Sequence, residues 1–238
     1  MLKQFSVALA ALTLFAHPAN AQQETSRWTA LAERNWADLP AAAQDLYVYG
    51  GAKLEFLLEP GGAGSDNATT LSTYVELEKS GFYVGLYGAI ANDSTANEVD
   101  VYLGYRAETA GGISYDIGYS RYIYPNDGGD CCGEITLSLG TPLGDKFAAS
   151  LDLAYDPEAS LGNAYLGLEF YATDKITLSA NYGTYEVDGA GSEQEWDIGV
   201  GYALTDEAAV DLRFYDGTDY ADSYVGLAIT FDTTLLSR

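Results

Sequence analysis

The sequence predicts an all-β protein, an antiparallel up-and-down transmembrane β-barrel of about twelve strands with a short N-terminal helix. Three observations predict it. From Leu46 onward apolar and polar residues alternate with period two, the mark of half-buried strands. The connections between these segments alternate between short and longer. The 238 residues include 20 Tyr and 26 Gly but only 8 Phe and 3 Trp, a composition suited to strands and turns rather than Leu-rich helices.

The chain opens with a segment that reads as a secretory signal. Lys3 supplies the positive n-region, Phe5 to Ala16 the apolar h-region, and Ala19-Asn20-Ala21 an A-x-A cleavage site, so residues 1–21 are expected to be removed. The apolar run is too short to span a bilayer as a helix, which takes about 20 residues. The single histidine, His17, lies in this segment. The mature chain then lacks the imidazole needed for Ser-His-Asp or Cys-His catalysis and for His-ligated zinc. Carboxylate pairs of the glycosidase kind remain chemically possible, but no one pair stands out among so many acids. A non-enzymatic role is expected.

Residues 22–45 form a second unit. Trp28, Leu31, Ala32, Trp36 and Leu39 share one helical face and Pro40 closes the run, which reads as an amphipathic helix or linker, a disordered leader being the other option. Residues 46–238 are the expected barrel. Its strands are read at about 46–58, 71–79, 82–90, 98–107, 113–124, 134–140, 146–155, 163–171, 175–186, 195–203, 207–215 and 222–231. Phe82, Val84, Leu86 and Ile90 oppose Tyr83, Gly85, Tyr87 and Ala89, and Val99, Val101, Leu103 and Tyr105 oppose Asp100, Tyr102, Gly104 and Arg106. Ser80-Gly81 is the shortest connection, while Glu59–Thr70 is the longest. Short turns on one side, longer loops on the other and an even strand count describe an outer-membrane barrel.

A water-soluble barrel also alternates, but two features argue against it. Twelve strands would enclose more volume than the apolar face could fill, whereas the polar face carries charges and most of the tyrosines, as a wet lumen would. Apolar-face aromatics also cluster near strand ends. Phe82, Tyr105, Tyr115, Phe147, Phe170, Tyr202 and Phe231 fall on the short-turn side, and Phe56, Tyr155, Trp196 and Phe214 on the loop side, as two interfacial girdles would. The expected location is the bacterial outer membrane, with membrane lipid as a standing partner.

Three stretches carry a family resemblance: Ser80-Gly81-Phe82-Tyr83-x-Gly85, Glu98-x-Asp100-x-Tyr102-x-Gly104-Tyr105, and Tyr115-Asp116-x-Gly118-Tyr119-x-x-Tyr122-x-Tyr124-Pro125. Together with Glu134 opening the next strand, they resemble the Gcw_chp family of exported proteobacterial proteins of uncharacterised function. The resemblance implies an outer-membrane barrel and brings no substrate, cofactor or catalytic residue.

The candidate functional residues are charges expected to line the pore: Asp100, Arg106, Asp116, Asp152, Glu169, Asp197, Asp211 and Arg213. Glu55, Glu76, Glu78 and Lys53 share that face. The long connections carry Glu59, Asp66, Asp93, Asp127, Asp130, Asp156, Glu158, Asp188, Glu193, Asp216 and Asp219, with no Lys or Arg. A one-signed mouth concentrates cations and repels anions. Asp127 and Asp130, in Asn126-Asp127-Gly128-Gly129-Asp130, are the best candidates for oxygen ligands to Ca²⁺ or Mg²⁺, without the spacing of an EF-hand. The formal net charge of −24 excludes a basic nucleic-acid surface.

Cys131-Cys132 are the only cysteines, and their adjacency in a long connection leaves a vicinal disulfide or an intermolecular bridge open. The segment Tyr224-Val225-Gly226-Leu227-Ala228-Ile229-Thr230-Phe231 resembles a barrel-assembly signal, implying transient contact with the assembly machinery, although seven residues follow Phe231. Two functions are compatible with all this. One is a small porin-like passive channel or solute-binding barrel favouring cations or neutral polar solutes. The other is a closed structural or surface-interaction barrel binding divalent cations, envelope lipid or a partner.

Overall fold

A computed structural model describes residues 46–187, 191–218, 220 and 222–237. The expected signal segment 1–21 and the expected helix or linker 22–45 lie outside the described residues, as do Asp188 and Asp219.

The described chain is one closed antiparallel barrel in which each strand pairs with its sequence neighbours and β1 pairs with β12. The strands are β1 (Leu46–Leu58), β2 (Ala68–Lys79), β3 (Phe82–Ala91), β4 (Glu98–Glu108), β5 (Ser114–Tyr124), β6 (Gly129–Pro142), β7 (Phe147–Asp156), β8 (Leu161–Tyr171), β9 (Ile176–Val187), β10 (Gly191–Ala203), β11 (Ala208–Gly217) and β12 (Tyr224–Ser237). A short 3₁₀ turn, Ser94–Ala96, lies between β3 and β4. One end of the barrel holds the Ser80-Gly81 turn; we call it the turn end, and the opposite end the loop end.

The faces follow the alternation in the sequence. Outward positions are apolar and exposed, including Leu71, Val84, Leu86, Leu103, Ile117, Leu153, Leu166, Ile198, Leu212 and Leu227. Outward aromatics meet as neighbours near the strand ends. At the turn end Phe82 packs on Tyr105 at 4.7 Å between ring centroids and Phe147 on Phe170 at 4.9 Å. At the loop end Trp196 packs on Phe214 at 5.6 Å. A continuous apolar exterior on a closed barrel has no favourable place in water.

Three sequence expectations are corrected. The contrast in connection length is smaller than expected, because strands run on past their apolar stretches. Glu59–Asn67 remains the longest connection, but residues 125–128 and 157–160 are tight turns. Cys131 and Cys132 belong to β6 rather than to a loop. They form a vicinal disulfide where the β5–β6 register shifts, Tyr122 pairing with Cys132 and Ile123 with Asp130, so that Cys131 is the extra residue of a bulge. Finally, β12 does not stop at Phe231. Asp232, Thr233, Thr234, Leu236 and Ser237 continue it, pairing with β1 as far as Tyr47.

The Ser80-Gly81 turn needs positive φ at both residues, and they adopt 54° and 85°. This is the twist that a two-residue hairpin prefers, and it pins the β2–β3 register.

Candidate functional site

Inward-facing positions build the candidate site. Their packing explains the abundance of Tyr and Gly, because large rings lie across glycines on the neighbouring strand. Tyr102 faces Gly85 and Tyr83 faces Gly104, and a Cβ on either glycine would run into the opposing ring. Tyr165 lies over Gly183 of β9 in the same way, and Arg213 over Gly199. The stretches that carried the family resemblance are therefore an interlocked set of rings and gaps.

Acids dominate the interior. Among the described residues twelve buried acids stand against three buried bases, Lys53, Arg106 and Arg213. Each base is surrounded. Arg106 of β4 binds Glu76 at 3.0 Å and Glu78 at 3.1 Å on β2, and its Nε lies 3.3 Å from Asp116 on β5. Its guanidinium carbon also sits 4.1 Å from the centroid of the Tyr83 ring. Arg213 of β11 binds Asp197 on β10, Asp211 at 3.1 Å, and the Ser179 hydroxyl on β9 at 2.7 Å. Asn181 donates to Asp197 at 2.9 Å, and Lys53 binds Glu55 at 2.6 Å.

Tyrosine supplies donors that the few bases cannot. Tyr83 donates to Asp116 at 2.6 Å, Tyr122 to Glu134 at 2.9 Å and Tyr171 to Glu169 at 2.7 Å. Glu195 accepts from Tyr165 at 2.7 Å and from Tyr220, in the β11–β12 connection, at 2.6 Å. Burial and the adjacent Glu195 hold the Tyr220 hydroxyl well above its ordinary pKa, so it stays a donor. A hydroxyl donor satisfies a buried carboxylate without importing a second charge.

Near the loop end these rings converge. Leu57 of β1, Tyr165, Tyr185, Tyr215 and Tyr224 form one buried cluster that reaches from β1 through β12 to β8, with Tyr220 against it. Tyr215 and Tyr224 stack at 4.8 Å.

The expected pore-lining residues all lie on the inner face. Asp100, Arg106, Asp116, Asp152, Glu169, Asp197 and Arg213 are buried there, and Asp211 is half-buried against Arg213. The structure joins Arg106 to Asp116 and joins Arg213 to Asp197 and Asp211, and it gives Asp152 to neither group. Sequence reading left Glu98, Glu134 and Glu195 out of the interior charges, although alternation sets Glu195 on the same face as Asp197, and it placed Asp156 in a loop. Asp156 is a buried strand-end residue that accepts from the backbone N–H groups of Glu158 at 2.7 Å and Ala159 at 3.1 Å. Glu134 and Glu195 were visible as in-phase with inward neighbours, and that period was the available signal.

The acidic mouth is also less one-signed than its connections suggest. Arg121, near the loop end of β5, grips Asp130 through two hydrogen bonds of 2.6 and 2.9 Å and also binds Glu158. Both Asp130 oxygens are thus engaged by a guanidinium, and a cation there would have to displace it. Asp127 lies exposed in the adjoining turn. Among the described residues no three His, Cys, Asp or Glu side chains are placed to hold a metal ion. Asp93 caps the 3₁₀ turn, and the hydroxyl and N–H of Thr95 hold its carboxyl below the usual range.

Comparisons with known proteins agree with this architecture. A family model described as bacterial protein of unknown function (Gcw_chp) matches residues 68–235. No match is found among curated proteins. Among solved structures, the KdgM porin aligns with a TM-score of 0.58 at 9% identity, over 76% of this chain and 98% of that one. A structure titled KdgM porin in complex with disordered oligogalacturonate gives 0.58 at 8% identity, over 76% and 98%. The NanC porin gives 0.58 at 11% identity, over 79% of this chain and 100% of that one. At such identities the likeness concerns the fold, which is a porin-like barrel.

Proposed function

The chain belongs to the Gcw_chp family, and we propose that it is an outer-membrane barrel forming a narrow passive channel for small cations and neutral polar solutes. One observation carries the reading: twelve buried acids against three buried bases on the inner face. Opposing walls of a narrow lumen with low-dielectric surroundings feel each other's charge, because the Debye length at physiological salt is about 8 Å. Such a lumen resists anions. The oligogalacturonate named with the KdgM porin is a carboxylated polymer, and an interior this acidic disfavours a solute of that kind. The outer-membrane location is supported by the secretory leader, the apolar exterior, the paired aromatics near both ends and the porin-like fold. In this reading Leu46, Ser237 and the Ser80-Gly81 turn lie at the periplasmic end, and the C-terminal strand is what the assembly machinery meets.

The test is a reversal potential measured with purified protein in planar bilayers across a KCl gradient. K⁺ is expected to pass in preference to Cl⁻, with the preference shrinking as salt rises. Anion selectivity would overturn the reading. The second reading, a closed structural barrel, is favoured by the ring cluster of Leu57, Tyr165, Tyr185, Tyr215 and Tyr224 across the loop end. A barrel that inserts and never conducts decides for it.

A further inference from the structure

The inner wall is not uniform around its circumference. On β2–β5 and on β9–β12 it is lined by rings and by the Arg106 and Arg213 clusters. Across β6, β7 and β8 the cross-strand rows read Thr136–Ala154–Asn163, then Ser138–Asp152, then Gly140–Ser150–Gly167. Almost every one of these side chains is small. Tyr165, the one ring on this wall beside Asp152, leans away from it, over Gly183 on β9, with its hydroxyl on Glu195 of β10.

The same strip collects polar atoms that the fold leaves unsatisfied. Thr136 Oγ1 and Asn163 Oδ1 are buried without a hydrogen-bond partner among the described residues, and both carboxylate oxygens of Asp152 are buried with only the hydroxyls of Ser138 and Ser150 to serve them. Asp152 is 4% exposed and has the hydroxyls of Ser138 and Ser150 beside it, and no described Lys or Arg pairs with it. Buried polar groups are normally paired with protein or ordered water, and each exception asks for a partner. Here a hydroxyl, an amide oxygen and a carboxylate ask for one along a single wall. That combination suits water and a weakly held monovalent cation more than any folded-state side chain.

We propose that the solute path follows the β6–β8 wall and that Asp152 is the group that selects cations within it. The other walls act as filled braces. This deepens the channel reading and rests on it. Arg106 and Arg213 hold the acids around them in direct ion pairs, one cation among three carboxylates and one among two, whereas no described cation pairs with Asp152 and its carboxylate keeps its field for whatever enters.

The experiment has two arms. In the first, Asp152→Asn is expected to lower the K⁺ over Cl⁻ permeability ratio about fivefold, the effect of one unit charge at roughly 4 Å in an aqueous passage. Asp211→Asn, removing an acid already held by Arg213, is expected to lower it less. In the second arm, single cysteines are placed at Ser138 and Ser150 on the strip and at Ser72 on β2, and folded barrels in vesicles are treated with a small membrane-impermeant thiol reagent. Modification is expected at positions 138 and 150 and not at 72.

The outcomes separate the two claims. A conducting barrel whose selectivity ignores Asp152→Asn, or whose position 72 reacts while 150 does not, overturns the path and leaves the channel standing. A silent barrel whose position 150 still reacts overturns the channel and upholds the hydrated wall. A silent barrel unreactive at 138 and 150 overturns both.

Discussion

The wall built by β2–β5 and the wall built by β6–β8 face the same barrel interior, yet they solve the burial of charge in opposite ways. On the first wall, Glu76, Glu78 and Asp116 share one guanidinium, and Tyr83 adds a hydroxyl and a ring. On the second, small residues surround Asp152, whose oxygens have no guanidinium partner among the described residues. The difference teaches that net charge alone does not describe a lumen. A charge already matched is structure, and a charge left unmatched is available to a solute.

The largest expected effect breaks the first wall. Arg106→Met leaves three buried carboxylates without their common cation and is expected to cost about 3–5 kcal/mol, read by urea unfolding in lipid vesicles. Asp152→Asn, on the second wall, is expected to cost far less or to stabilise. Equal costs would erase the distinction between braced and open walls.

A second test sharpens the comparison by moving behind each wall to the exterior. Leu103→Arg on β4 and Leu153→Arg on β7 are both expected to cost about 2–4 kcal/mol if these positions face the middle of a bilayer. Both leucines project outward and are exposed. Similar losses from the same unfolding assay would confine the asymmetry to the lumen side. A loss at one position only would mean that the two walls also differ in what covers them outside.

The smallest expected effect touches the border between the walls. Gly183→Val puts a side chain where the Tyr165 ring lies. It should cost about 1–3 kcal/mol by overpacking and, by pushing the ring toward Asp152, lower single-channel conductance. Unchanged stability and conductance would show that Tyr165 is free to lean either way.

Much of this was legible in the sequence, because a strand has period two and leaves few choices. Once Leu103 was placed outward, Tyr102 and Asp100 had to point inward, and the same logic placed Arg106, Asp197 and Arg213. What was not legible depends on register and on distance across the sheet. Alternation cannot show that Tyr102 lies over Gly85, or that Tyr165 reaches past β9 to Glu195, since neither relation exists within one strand. The Arg106 cluster joins β2, β4 and β5, and only the register set by turns such as Ser80-Gly81 brings them level. Strand ends were missed for another reason. Asp130, Cys131, Cys132 and Asp232 are polar or small, so the apolar period fades before the backbone pairing does. Arg121 belongs to β5, yet its side chain reaches Asp130 and Glu158 in the mouth, a pairing that lies between strands and that alternation within one strand does not show.

The seam between β1 and β12 has a consequence for how the molecule comes to exist. All the other pairings join strands that follow one another in the chain, so each can zip as a hairpin soon after its turn forms. The seam joins Leu54 to Ile229 and Tyr47 to Ser237, the two extremes of the described chain. Bringing such distant segments together carries the largest loop-closure entropy in the fold and is the slow event of a topology otherwise made of local contacts. Until it happens, the sheet has two unsatisfied edges, each able to recruit a strand from another molecule. The tail after Phe231 lengthens the seam by further paired residues, which deepens the trap once the ring has closed. A chain cut before Tyr224 therefore yields an open, adhesive sheet and not a smaller barrel.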